Sequence, residues 1–380
     1  MSKVSRPFVF CSPFLFCFQS EEAKNLVYTP PSLSFLFRWV SNRSWHPVVI
    51  SDTTTPSYWL NWRFLLCAIW VLTSIVLASL LIWKYEGSSD SEIDGGEPRQ
   101  GKAGTLYEDD AWKPCLKDLH PAWLLAFRII AFFVLLALLI ANVIVDGGGI
   151  FFFYTQWTFT LVTIYFGLGS LLSIYGCYQY HHKFGGYKVN HSTIDTERGT
   201  NMASMHGENA NACYSAKTPD PQEERYVHQT AGIWSYVFQV IFQMNAGAVV
   251  LTDIVFWLIL FPFLTMKDYK LTFLKIGMHS INAIILLGDM ALNCLRFPLF
   301  RFAYFILWTG IYVIFQWLVH ACISIWWPYP FLDLSSSYAP VWYLSVALMH
   351  FPCYGIFALL IRMKHFLMLR WFPQSYQCMM

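Results

Sequence analysis

Seven long apolar runs govern what this chain can fold into: residues 64–83, 122–145, 151–178, 233–264, 274–295, 302–325 and 340–361. About 20 residues of helix cross the roughly 30 Å hydrocarbon core of a bilayer, and each run is of that order. Phe64 to Trp83 carries no charge, and neither does Gly147 to Tyr180. In lipid, every backbone N–H and C=O must be satisfied within a helix or a closed barrel. The runs lack period-2 alternation and exceed the length of barrel strands. The expected fold is therefore all-α, a polytopic transmembrane helical bundle of seven spans.

Composition agrees with a bilayer as solvent. Hydrophobic residues make up 56% of the chain and charged residues 13%, about half the usual charged share of soluble domains. Seventeen Trp and 21 Tyr suit aromatic belts at the two membrane interfaces. A net charge of +2 gives no electrostatic footprint for nucleic acid. The ten cysteines are scattered, several within apolar runs (Cys67, Cys177, Cys294, Cys322, Cys353), without CxxC or Cys/His ligand spacing. Neither a zinc site nor a disulfide framework is expected. Phe8 to Phe18 is a short apolar stretch broken by Cys and Pro and lacking a small-residue cleavage site. It does not read as a signal peptide, so the first span is expected to direct insertion.

The chain divides into a polar head (1–58), a first span with an acidic loop (59–121), a six-span core (122–363) and a C-terminal tail (364–380). The core contains the loop 179–231, rich in Asn, Ser, Thr and Gly, which is expected to be flexible with short helical pieces at most. Asp146-Gly-Gly-Gly149 reads as a tight turn, and Trp326-Trp-Pro-Tyr329 as an interface belt. Lys and Arg fall fifteen against nine in favour of the side holding loops 84–121 and 179–231 and the C-terminus. The C-terminus is thus expected in the cytosol. The sequons Asn42-Arg-Ser44 and Asn190-His-Ser192 then lie on opposite sides.

Polar groups in lipid are costly and therefore turn inward, often with a function. In the fifth run His279, Asn282, Asp289 and Asn293 fall within about an 80° arc at 100° per residue. Gln239, Gln243 and Asp253 share a face of the fourth, and Thr155, Thr158, Tyr165 and Ser173 a face of the third. The bland reading of such groups is interhelical hydrogen bonding, worth about 0.6 kcal/mol per contact. The third and fifth runs enter from the same membrane face. Thr155 and His279 both lie near their starts, and His320, near the end of the sixth run, reaches a similar depth. A hydroxyl and imidazoles at one level can serve as a nucleophile and a general base.

Several stretches carry a family resemblance: Arg128, Phe153-Tyr-Thr-Gln-Trp157, Phe256-Trp257, Gly277-Met278-His279 and Tyr329-Pro-Phe-Leu332. In this order they resemble the family of the androgen-induced protein and the androgen-dependent TFPI-regulating protein. Those are six-span membrane threonine hydrolases of fatty acid esters of hydroxy fatty acids, grouped broadly with the insect rolling stone protein. The resemblance covers about 122–363, and Ser57-Tyr-Trp-Leu-Asn-Trp-Arg63 looks like the plant branch of rolling-stone-like proteins. It implies Thr155 as nucleophile and His279 as essential histidine. His320, Asn282 and Asp289 are then candidates for a supporting shell.

The resulting expectation is an intramembrane lipid-ester hydrolase with membrane lipids as surroundings, an acyl chain as substrate, and no metal or organic cofactor. Two alternatives stand beside it. One is a non-enzymatic membrane protein acting in adhesion, fusion or assembly. The other is a transporter using Asp253, Asp289 and His350 as relay groups.

Overall fold

A computed structural model describes residues 52–86, 107–198, 231–264 and 273–378. Among these the chain is helical. It comprises α1 (Trp62–Glu86), α2 (Pro121–Asp146), α3 (Tyr154–Arg198), α4 (Ile233–Ile254), α5 (Phe273–Met278), α6 (Ile281–Leu292), α7 (Phe302–Cys322) and α8 (Ala339–Trp371). Six helical segments are long and apolar enough to cross a membrane: Trp62–Glu86, Pro121–Asp146, Tyr154–His182, Ile233–Leu260, Leu299–Cys322 and Ala339–Trp371. This is the build of an integral, multi-pass membrane protein.

The fifth apolar run departs from expectation. It forms two helices, α5 and α6, separated by a turn at His279–Ser280 in which the His279 N–H donates to Ile276 O and the Ser280 N–H to Gly277 O. Gly and Ser are weak in helix interiors, Gly through backbone entropy and Ser through competing local hydrogen bonds. The 12 residues of α6 rise only about 18 Å. The break also removes His279 from the polar arc. Asn282 and Asp289 remain on α6, fully buried, and Asn293 caps its end.

Gly147 ends α2 with φ 78°, a conformation that costs residues with a Cβ, and its N–H closes onto Val143 O. A 3-10 turn over Gly148–Phe152 then leads directly into α3. At its other end α3 stays helical to Arg198, through the first part of the segment expected to be flexible. Residues 199–230 lie outside the described residues, as do 1–51 and 87–106.

What holds the lower end of the bundle, where α2 and α7 begin, is a fully buried ion pair. Arg128 Nε donates to Asp289 Oδ1 at 2.7 Å, with both side chains at 0% exposure. The Arg128 Nη1 also donates to Ala111 O (2.6 Å) and Ser173 Oγ (2.8 Å). Asp289 accepts further from Tyr165 and from Asn293 Nδ2. One carboxylate and one guanidinium thus tie α2, α3, α6 and the 107–120 segment together. That segment is a plug. Trp112 sits against Gly176, where an added Cβ would come within 2.2 Å of the indole, so only glycine permits the approach.

The C-terminal tail closes the same end. Lys117 N–H donates to Ser375 O and Gln377 N–H to Cys115 O. Cys294 is bonded to Cys378, so one disulfide forms where none was expected. The two cysteines are distant in sequence and meet only because the tail folds back, which spacing rules do not register.

The first span is not an appendage to a six-helix core. At its lower end Glu86 pairs with Arg301 at 2.8 Å. At the upper end Thr53 Oγ1 donates to His320 O and Tyr58 OH to Asp333. Between these ties α1 packs on α7, where a Cβ on Gly310 would lie 2.7 Å from Ile75.

Removing one member of a buried pair strands the other charge, at a cost of about 3–5 kcal/mol. Asp289→Ala should therefore lower thermal stability in detergent strongly, while Arg128→Met/Asp289→Leu together should recover much of the loss. Intrinsic-fluorescence melts of the three proteins check this, and equal losses in single and double variants would contradict the pair's role.

Candidate functional site

The upper half of the bundle contains a narrow cleft with an open mouth. Its walls come from several elements, Val346 of α8 among them. The start of α3 gives Tyr154 and Thr155, and the end of α4 gives Leu251 and Thr252. α7 gives Thr309, Tyr312 and Val313, and the turn after α7 gives Tyr329, Phe331 and Leu332. Val255, Phe256 and Leu260 complete the wall from a π-helical stretch, Val255–Leu260, that continues α4. Pro262 explains that widening: its ring clashes with the carbonyl four residues back and it offers no N–H, so the turn before it opens.

Almost all of this lining is apolar or aromatic, and the few polar groups are hydroxyls. Thr155 Oγ1 lies 3.3 Å from Tyr329 OH. Thr309 Oγ1 lies 2.9 Å from Tyr154 OH and 2.9 Å from Nε2 of His350, which stands behind it on α8. His350 Nδ1 is 2.7 Å from Val346 O. Tyr312 OH donates to Phe152 O, and Thr252 Oγ1 to Val249 O.

The expected site residues are distributed unevenly around it. Thr155 is in the cleft, 9% exposed. His279 lies on the far side of a wall, its ring stacked on Phe256 with centroids 3.5 Å apart and planes 4° apart. No hydrogen bond joins His279 to Thr155, and its Nδ1 is buried without a partner. The break between α5 and α6 turns the imidazole toward the π-helical wall instead of the start of α3. His320 stands above, stacked on Trp327 at 3.7 Å and bonded through Nδ1 to Gln316 O. Asn282 Oδ1 accepts from the Ala283 N–H. Asp289 belongs to the Arg128 pair, with Tyr165 of α3 some ten residues, or about 15 Å, along the helix from Thr155. Of the five, Thr155 alone lines the cleft.

The structure adds groups that sequence spacing missed. Tyr329, read as a belt anchor, has its hydroxyl beside Thr155. Thr309 and His350 meet because α7 and α8 are antiparallel neighbours. Among the described residues no group of three or more His, Cys, Asp or Glu is placed to hold a metal ion. No protein family, no curated protein and no solved structure matches this chain.

Proposed function

We propose that this protein is a seven-pass membrane enzyme that hydrolyses lipid esters in the upper cleft. The seventh pass comes from α5 and α6 together. The observation that carries the reading is a set of hydroxyls, those of Thr155, Thr309 and Tyr329 among them, in a cleft whose exposed lining is largely apolar. Fatty acid esters of hydroxy fatty acids, or similar long-chain esters, fit that chemistry, as the resemblance of Phe153–Trp157 and Tyr329–Leu332 implies. The acyl chain moves from the bilayer into like apolar surroundings, so its burial adds little and packing holds it along the cleft, while its remaining methylenes leave through the mouth into lipid. The ester group then sits beside the hydroxyls.

Thr155 and Tyr329 are suited to donate hydrogen bonds to the ester oxygen as it gains charge. Such donors act more strongly in an apolar site than in water. His279, expected as the base, reaches no hydroxyl in this geometry, and its role here is to hold Phe256 in the wall. The transporter alternative draws little from the structure. Asp289 is held by Arg128, Tyr165 and Asn293, and His350 by Val346 and Thr309.

We further propose that the C-terminal end faces the cytosol, following the Lys/Arg excess. The Cys294–Cys378 bond at that end weighs in the opposite direction, since disulfides persist in oxidising compartments. Burial pushes the neighbouring Cys115 thiol up from its usual range, against the pull of Lys364, so its thiolate is a weak competitor for that bond.

Two outcomes are expected. Purified protein in liposomes should hydrolyse a fluorogenic long-chain ester. Thr155→Ala should lower kcat by about 10²-fold, the loss typical of one oxyanion donor. Leu332→Trp, which fills the cleft, should abolish turnover while the protein still accumulates. Wild-type rates in both variants would refute the hydrolase reading. For orientation, glycan mapping should find Asn42 modified and Asn190 unmodified, and a glycan on Asn190 would invert the topology.

A further inference from the structure

The hydrolase reading leaves open which hydroxyl attacks, because Thr155 has no base within reach. His320 lies beneath Trp327 with Gln316 O as its partner. Asp253 has a buried Oδ1 without a partner and does not line the cleft. Thr252 is committed to Val249 O. One hydroxyl in the cleft has an imidazole nitrogen at bonding distance, and it is Thr309.

We propose that Thr309 is the nucleophile of this cleft and His350 its general base, an assignment that rests on the hydrolase reading above. A carbonyl oxygen cannot donate, so the 2.7 Å contact of His350 Nδ1 with Val346 O requires a proton on Nδ1. In the neutral ring Nε2 then carries a lone pair, directed at Thr309 Oγ1 at 2.9 Å. The Thr309 proton has a second acceptor within range, Phe305 O at 3.3 Å. The shorter contact also satisfies a buried nitrogen that would otherwise be unpaired, so the proton points to Nε2. Tyr154 OH, 2.9 Å away, then donates to Thr309 Oγ1. The order Tyr154 to Thr309 to His350 to Val346 O is consistent at every link.

The arrangement has the parts of an activated nucleophile: a hydroxyl, a base in hydrogen-bond reach, and a third group that fixes the base's tautomer and orientation. Val346 O plays the last part. The ring is held further by packing on Phe305, with centroids 4.5 Å apart. His350 is 4% exposed, while Thr309 lines the cleft, so the hydroxyl faces the substrate with Nε2 directly beside it.

The steps balance without a cofactor. Thr309 Oγ bonds to the ester carbonyl carbon as its proton passes to His350 Nε2. The tetrahedral oxyanion forms in a cleft whose lining also carries the hydroxyls of Thr155 and Tyr329, the candidate donors to it. The carbon–alkoxy bond breaks, and the proton on Nε2 passes to the departing alcohol. Water then gives a proton to Nε2 and its oxygen to the acyl carbon. The carbon–Oγ bond breaks, the fatty acid leaves, and the proton returns to Thr309. Tyr154 stabilises the Thr309 oxygen at the moment it is a leaving group.

The test is the site of covalent capture. Full-length protein in membranes is treated with an alkyl fluorophosphonate, and the modified residue is located by tandem mass spectrometry. The expected adduct is on Thr309. Thr309→Val should abolish labelling, and Thr309→Ser should retain it, which separates loss of the hydroxyl from loss of fold. His350→Gln should slow labelling by about 10²-fold or more, in line with removal of a general base. An adduct on Thr155 with Thr309→Val still reactive would overturn this assignment and leave the hydrolase reading standing. Absence of any adduct, together with absence of ester hydrolysis, would overturn both.

Discussion

The ion pair between Arg128 and Asp289 is the constraint on which the rest of the structure depends. Each charge alone would cost several kcal/mol in a dry interior, and they persist because they meet and because most of their other hydrogen-bonding positions find partners, Arg128 Nη2 being the buried exception. Arg128 reaches Ala111 and Ser173 as well as Asp289, and Asp289 reaches Tyr165 and Asn293. A short broken helix such as α6 has little hold of its own on a bundle. Here it is fixed by the carboxylate at its C-terminal turn. That fixation sets where α5 and His279 lie, and so places the Phe256 wall of the cleft. The lower end is held by charge pairs, while the upper end keeps a cleft with hydroxyls.

The division has a physical logic. In lipid, helices gain nothing from burying apolar surface against one another, so packing and hydrogen bonds hold the bundle together. The lower end uses charge, the Glu86–Arg301 pair included, and the folded-back tail. The upper end uses aromatic packing, with Tyr154, Tyr312, Tyr329 and Tyr343 in one buried cluster. Tyr154 joins a chain through Thr309 and His350, while the hydroxyls of Tyr312, Tyr329 and Tyr343 find partners of their own. A π-helical turn and a glycine-initiated 3-10 turn, both irregular, border the resulting gap. Irregular backbone at membrane depth is tolerated where it lines a cavity or is covered by protein.

Much of the architecture was legible in the sequence, because the length and charge content of an apolar run answer directly to bilayer thickness. The inward direction of Asn282 and Asp289 was legible for a similar reason, as was the turn at Gly147. The break at His279–Ser280 was not. Periodicity treats an apolar run as continuous, and the competition between Gly277, Ser280 and helix propagation is decided by local hydrogen bonds. Nor was the Cys294–Cys378 bond, which needs the tail's fold-back. At the site, Thr155 was found through family resemblance and depth. Depth alone could not tell that Phe256 would stand between it and His279. Thr309 and His350 lie on different helices at a spacing no motif describes, and only the antiparallel packing of α7 and α8 brings them together.

The central claim is that the upper cleft receives an acyl chain from the bilayer. Its most direct test is photocrosslinking in liposomes with a long-chain ester carrying a diazirine near its carbonyl, followed by mapping of the adducts. The account predicts adducts on Phe256, Phe331 and Leu332, which line the cleft, and their loss under excess unlabelled ester. Adducts confined to outward residues such as Ile164 and Leu171, which are 51% and 65% exposed, and unaffected by competitor, would contradict it.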